Sequence, residues 1–265
     1  MGDDMATIRS SRGDATRSME LLWRLAPTPT RGPKQALSIE RIVEAAVALA
    51  DDEGLDALTM RRVAGALGVG AMSLYTYVPA KAELVDLMLD HVYGEQLAAI
   101  STDGGWRDAL ESRARADWAM YERHPWVVRA AGPRPTLGPN ELDVHEASLA
   151  AVDGLGLTGS EMVAVVSLIA GYVNGVASGI AEAVAEGENH ASDDQWWKER
   201  SAVLDRVYSA ERFPVSTRLE AEGTFDGDPE VSDYLAAEIR STFEFGLERV
   251  LDGIAVLVER RATRS

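Results

Sequence analysis

The 265-residue chain contains no cysteine, which excludes disulfide staples and thiolate metal sites. Its four histidines, His91, His124, His145 and His190, are far apart, and no ligand spacing links them, so no metal or other cofactor is expected. Positive charge is also scarce: 26 Lys and Arg face 43 Asp and Glu, a formal net charge of −17. Such a chain does not bind nucleic acid through its whole surface. No uninterrupted run of 18 apolar residues occurs, which argues against a membrane span, and no signal-type apolar segment follows Asp3, Asp4, Arg9 and Arg12; a cytoplasmic protein is expected. No alternating apolar pattern supports a sheet and no repeat is visible. The hydrophobic share of 46% is enough for a core, and what remains is an all-α reading.

The acidity is uneven. Residues 1–92 carry ten Lys or Arg and thirteen Asp or Glu, and the remainder carries sixteen and thirty. Between Ala57 and Ala82 there are three bases and no acid. A small DNA-facing surface on an acidic body is physically reasonable, because the body repels random contacts.

Residues 1–36 read as a flexible arm, rich in Gly, Ser, Thr and Arg and then Pro27, Pro29 and Pro33, although Leu21, Leu22, Trp23 and Leu25 are apolar enough to dock. Ser38 is a natural N-cap, and Ile42, Val43, Ala46, Val47 and Ala50 give a helical stripe ended by Gly54. Thr59 caps a short helix to Leu67. Gly68-Val69-Gly70 is a turn, and Ala71–Tyr77 is a second short helix. Helices follow over about 81–98, 106–122, 140–153, 160–184, 193–209 and 231–259. Thr158 and Glu161 form a capping box, and 210–230 reads as loose. The expected division is an arm at 1–36, a three-helix helix-turn-helix domain at 37–83, and a helical regulatory and dimerisation domain at 84–265.

Two short helices that cross tightly can project one of them into a major groove. Ala64 allows the crossing, and Val63, Leu67, Val69 and Leu74 anchor it. Ala71, Met72, Ser73, Tyr75, Thr76 and Tyr77 then face DNA. Ser73 and Thr76 offer hydrogen bonds, Ala71 and Met72 apolar contact with a thymine methyl, and Tyr75 and Tyr77 phosphate-facing hydroxyls. Arg61, Arg62 and Lys81 supply backbone charge, and Arg31 and Lys34 in the arm reach phosphates or a minor groove. The plainer reading is a solvated face with two core tyrosines.

These residues carry a resemblance. Ile42-Val43-Glu44-Ala45-Ala46, Glu53-Gly54-Leu55-Asp56-Ala57-Leu58-Thr59-Met60-Arg61-Arg62-Val63-Ala64, Leu67-Gly68-Val69 and Ser73-Leu74-Tyr75-Thr76-Tyr77-Val78, with Lys81 and Leu84, resemble the DNA-binding domain of the TetR family of transcriptional regulators. The resemblance implies phosphate contacts from Tyr75 and Lys81, and a phosphate facing Thr59 at the start of its helix. It extends to a tetracycline-repressor type of C-terminal domain around Trp106, Asp108, Leu110, His124, Gly132, Arg134, Pro135 and Gly154. It implies a homodimer on palindromic double-stranded operator DNA, a repressor released by a small-molecule effector. Ala130 stands where the tetracycline repressor has a magnesium-ligating histidine, and Arg113 and Asp117 where it has drug-contacting Asn and Phe, which argues against a magnesium–tetracycline ligand.

Gly171, Gly175 and Gly179 share one helix face. Mid-helix glycines cost about 1 kcal/mol each against alanine, so a close approach is expected there. With Phe243, Leu247, Val250, Leu251 and Ile254 of the last helix, they suggest a four-helix dimer seam; tight packing within the chain is the alternative. The ligand candidates are the aromatics Trp106, Trp118, Tyr121, Trp126, Tyr172, Trp196 and Trp197, with Arg113, Asp117, Arg129 and Asn174 as polar anchors. Two rival classes are an enzyme using Glu95, His124, His145 and Asp153, which no nucleophile or phosphate motif supports, and a helical dimer that binds small molecules or proteins but not DNA.

Overall fold

A computed structural model describes residues 10–11, 13–25, 37–101, 103–187, 193–225 and 234–263. The described residues form helices and turns with no strand. In chain order the helices are α1 (Ala15–Leu22), α2 (Ile39–Glu53), α3 (Met60–Ala66), α4 (Ala71–Tyr75), α5 (Lys81–Ala99), α6 (Trp106–Arg123), α7 (Trp126–Ala130), α8 (Pro139–Val152), α9 (Gly159–Gly187), α10 (Asp193–Val207), α11 (Pro214–Ala221) and α12 (Tyr234–Ala262).

Local rules set the first helices. Ser38 Oγ accepts the Arg41 N–H at 3.3 Å and starts α2, and Gly54, at φ +78°, ends it. Thr59 Oγ1 accepts the Arg62 N–H at 3.2 Å and starts α3. Gly68 turns the chain at φ +67°, where a Cβ would be strained. Val63, Ala64 and Leu74 are buried at the crossing of α3 and α4, and Val78 follows beneath them. This head sits on α5, which continues unbroken into the body, so the boundary expected at 83/84 falls inside one helix.

In the body, α6 and α12 pack against α9, and α5 packs against α8. Three contacts show that α9 and α12 run antiparallel. Glu161 pairs with Arg261. The Tyr172 hydroxyl lies 2.8 Å from the Thr242 carbonyl. A Cβ on Gly179 would lie 3.4 Å from Ile239 Cδ1. Phe243 is buried and stacked on Trp118, with ring centroids 4.3 Å apart. The capping box forms as expected: Thr158 N donates to Glu161 at 2.9 Å, and Glu161 N to Thr158 Oγ1 at 3.3 Å.

Two sequence readings change. The arm is not uniformly free: Ala15–Leu22 is a helix with Leu21 and Leu22 buried against the core, because those side chains have apolar surface on α5 to cover. The segment read as loose holds α11, with Pro214 in its first turn, where a missing N–H is harmless. Although no 18-residue run is purely apolar, Gly159–Gly179 is long and apolar enough to cross a membrane. In this fold it is a bundle helix: Val165, Val166, Ile169, Val173 and Ala177 face the core, while Val163 and Leu168 face outward.

Candidate functional site

The α4 helix presents the expected face. Leu74 points inward and is fully buried, leaving Met72, Ser73, Tyr75 and Thr76 exposed; Met72 is 79% and Tyr75 43% accessible. Ala71 and Tyr77 are half-buried and pack against the core. The 3.4 Å contact from Thr76 Oγ1 to the Met72 carbonyl keeps that hydroxyl near its own helix. The basic residues divide. Arg61 is exposed and has no ion-pair partner among the described residues. Arg62 pairs with Glu53 and lies 3.5 Å from the Ala57 carbonyl, so it serves the head internally as well as the surface. Thr59 Oγ1 accepts the Arg62 N–H as the cap, a contact that does not use its own O–H. Arg31 and Lys34 lie outside the described residues.

The ligand candidates separate into four groups. Trp106 and Arg113 line an open cleft of about 260 Å³, together with Ile100 at the end of α5 and Ala147, Ser148 and Ala151 of α8. From this cleft a buried polar chain runs inward. Arg113 donates to Ser148 Oγ at 2.5 Å, to the Val144 carbonyl at 3.3 Å and to Asp117 Oδ1 at 2.8 Å. The Gln96 amide also donates to Asp117, and its own carbonyl oxygen is buried without a partner. Burial raises the Asp117 carboxyl above its ordinary range, and the Arg113 charge opposes that. Nearby, Asn174 donates to the Tyr121 hydroxyl at 3.2 Å. Gln96 and Ser148 were missed by sequence reasoning. The only signal was an amide four residues after Val92, on the inward stripe of α5.

Trp118 and Tyr172 belong to the protomer core. Trp118 is stacked on Phe243, and the Tyr172 hydroxyl bonds to α12 carbonyls and lies where a Cβ on Gly246 would come within 2.2 Å. Trp126 and Arg129 instead join the body to the head. Trp126 Nε1 donates to Asp51 Oδ1 at 2.7 Å, and Arg129 pairs with Asp56 at 3.2 Å. His124, 2% accessible, sits at the same joint, 2.7 Å from Asp51 and 3.4 Å from Glu95. Glu95 and His124 do come together, but both ring nitrogens face structural carboxylates of their own chain. The side chains of Trp196 and Trp197 lie outside those described.

The seam residues divide too. Phe243, Leu247, Leu251 and Ile254 are buried inside the protomer and Val250 is half-buried, so they are core and not its outer face. Gly179 meets Ile239 of its own chain. Gly171 and Gly175 face open space, with Leu168 and Val163 on the same helix; Phe245, Gly253 and Val256 are on the outer side of α12.

The family model for bacterial regulatory proteins of the tetR family matches residues 42–88. That for the tetracyclin repressor-like C-terminal domain matches residues 100–258, more than half of the chain. The HTH-type transcriptional repressor DrrR1 of Streptomyces coeruleorubidus is 44% identical over 263 residues, covering 98% of this chain and 93% of the relative. The crystal structure of apo ActR from Streptomyces coelicolor superposes with TM-score 0.63 at 27% identity, covering 88% of this chain and 100% of that one. The complex of ActR with actinorhodin gives 0.63 at 26%, covering 86% and 99%.

Proposed function

The chain belongs to the TetR family, and from that premise we propose that it is a homodimeric repressor that binds a palindromic operator and leaves it when a small molecule fills the body. The observation that carries the DNA half is the outer face of α4. A short helix is pinned from beneath by Leu74, shows only Met72, Ser73, Tyr75 and Thr76 outward, follows α3 with its exposed Arg61, which has no ion-pair partner among the described residues, and lies in a stretch without acid. The head needs this rigidity because base-edge contacts tolerate little displacement. Its local positive patch adds phosphate attraction, while the acidic body suppresses nonspecific binding.

For the effector, the support is the cleft at Trp106 and Arg113 and the polar chain behind it. It suits a molecule with a flat apolar body and a polar group that reaches Arg113 or Ser148. A relative of this fold, ActR, was crystallised with actinorhodin, which makes a small organic effector reasonable here. Two heads must be held at a fixed separation, and the outer faces of α9 and α12, with Gly171 and Gly175, are the surfaces offered for the partner protomer. An enzyme reading has the family assignment against it.

The test is binding of the purified protein to the intergenic DNA upstream of its own gene, read by fluorescence anisotropy across a salt series. Sequence-preferring, salt-sensitive binding that Tyr75→Ala and Arg61→Ala each weaken is expected. Binding indistinguishable from that to random DNA would remove the proposal.

A further inference from the structure

One segment lies outside both family-matched regions and touches each of them. Ser10 and Ser11, with residues 13–25 including α1, run from the body loop onto the first half of α5. At the body end, Ser10 N donates to the Ala130 carbonyl at 2.8 Å and Gly132 N donates to Ser10 Oγ at 2.9 Å. Further along, Trp23 Nε1 donates to the Leu137 carbonyl at 3.0 Å. On the head side, two buried acids of α5 receive the segment. Asp86 accepts the Ser11 N–H at 2.8 Å and the Ser18 hydroxyl at 2.7 Å, and Glu83 accepts the Asp14 N–H at 3.2 Å. Gly13 lies so close that a Cβ there would come within 2.9 Å of Glu83 Oε1. Leu21 and Leu22 seal the contact, and Arg24 reaches Glu40 of α2 at 2.8 Å.

A second observation points to the same place. Among the described residues the non-glycine positions with positive φ are Ser11, Arg24 and Leu137: both ends of this segment and the loop residue that its tryptophan grips. A left-handed backbone at such residues persists only where the surroundings hold it. Asp86 is raised above its ordinary carboxylate range by burial beneath the segment, with Glu83 adding to the rise and the two serine contacts opposing it.

We infer that residues 10–11 and 13–25 form a strap that clamps the DNA-reading head to the body, so that operator affinity depends on a segment that touches no DNA. The inference rests on the operator-binding reading above. A dimer binds a palindrome only while both heads keep the required spacing. Loosening the strap lowers the populated fraction of that pose, and apparent affinity falls by the same factor.

The absence of native cysteine allows a clean lock. A Cβ on Gly132 would lie 3.1 Å from Ser10 Oγ, close to the ~3 Å between a Cβ and the far sulfur of a disulfide. The experiment compares wild type, Leu22→Ser, Trp23→Phe, and Ser10→Cys/Gly132→Cys oxidised and reduced. It reads operator affinity, and amide exchange in residues 37–53 and 130–137 without DNA. Leu22→Ser is expected to lose about tenfold in affinity and Trp23→Phe about twofold, both with faster exchange in those segments and unchanged dimer mass. Trp23→Phe removes one hydrogen bond at a half-exposed position, so it remains readable if Leu22→Ser fails to fold. The oxidised pair is expected to keep wild-type affinity and exchange more slowly than the reduced pair. Wild-type affinity and wild-type exchange in the loosened variants, or a gain in affinity, overturns the strap. If wild type binds no upstream DNA, the operator reading fails, and exchange alone decides the strap.

Discussion

Replacing Gly171 and Gly175 together by alanine gives opposite outcomes for the two readings of the outer α9 face. Neither glycine has a positive φ, and a Cβ at either would meet nothing within 4 Å inside the protomer. If that face meets only water, each substitution improves helix propensity by about 1 kcal/mol. The pair then adds about 2 kcal/mol, raising the melting temperature by about 4–8 °C and leaving self-association untouched. If a partner helix packs on the glycines, four new methyl groups enter the seam of each dimer. At the low end of overpacking, about 1 kcal/mol each, association loses about 4 kcal/mol, a several-hundredfold weaker dimer at about 1.4 kcal/mol per tenfold. Gly179→Ala is the internal control. Its Cβ would meet Ile239 of the same chain at an ordinary 3.4 Å, so dimer affinity is expected to stay the same. Sedimentation over a dilution series measures the dissociation constant directly. A more heat-stable double variant with an unchanged dimer would refute the seam.

Other outcomes follow from individual contacts. Asp51→Ala leaves the Trp126 indole N–H and the buried His124 without their shared acceptor, and is expected to cost about 1–3 kcal/mol in urea unfolding, with Asp51→Asn milder; equal stability of both with wild type would count against a structural joint. Leu74→Ala, at a fully buried anchor, is expected to destabilise by about 2–5 kcal/mol and abolish operator binding, checked by thermal melts and anisotropy. Glu161 is held down at about 2, below its ordinary 4.5, by the Arg261 hydrogen bond first and by Thr158. A carboxyl depressed in the folded state gives stability that is present above pH 4.5 and lost as pH falls towards 2. The gap in urea midpoint between wild type and Glu161→Gln should therefore be constant above about pH 5 and close below it, and a pH-independent gap would contradict the assignment.

How far the sequence spoke depended on the range of the interactions. Ser38, Gly54, Thr59 and Gly68 act on backbone within four residues, so the head was readable from local rules, as was the Thr158–Glu161 cap. The orientation of α9 and α12 was not. Both helices carry apolar residues on more than one face, so periodicity alone does not say which face meets the chain's own core. Phe243 and Leu247 turned inward to Trp118 and α9, and a close helix contact that no spacing announced lies at Gly246 under Tyr172. The buried polar chain joins Gln96, Asp117 and Ser148 from three helices, and no local spacing encodes it. The strap was half legible: Leu21 and Leu22 announced docking, but Asp86, which receives Ser11 and Ser18, lies about seventy residues further along the chain.

The most direct test of the account is sequence selection by the head itself. Random duplexes are selected with wild type, Ser73→Ala, Met72→Ala and Arg61→Ala, and the preferred sites and salt slopes are compared. The two α4 substitutions are expected to relax preference at a symmetric pair of positions. Arg61→Ala should weaken all sequences alike and lower the salt slope by about one per head. Selected sites that stay identical through every change on the outer face of α4 would contradict it.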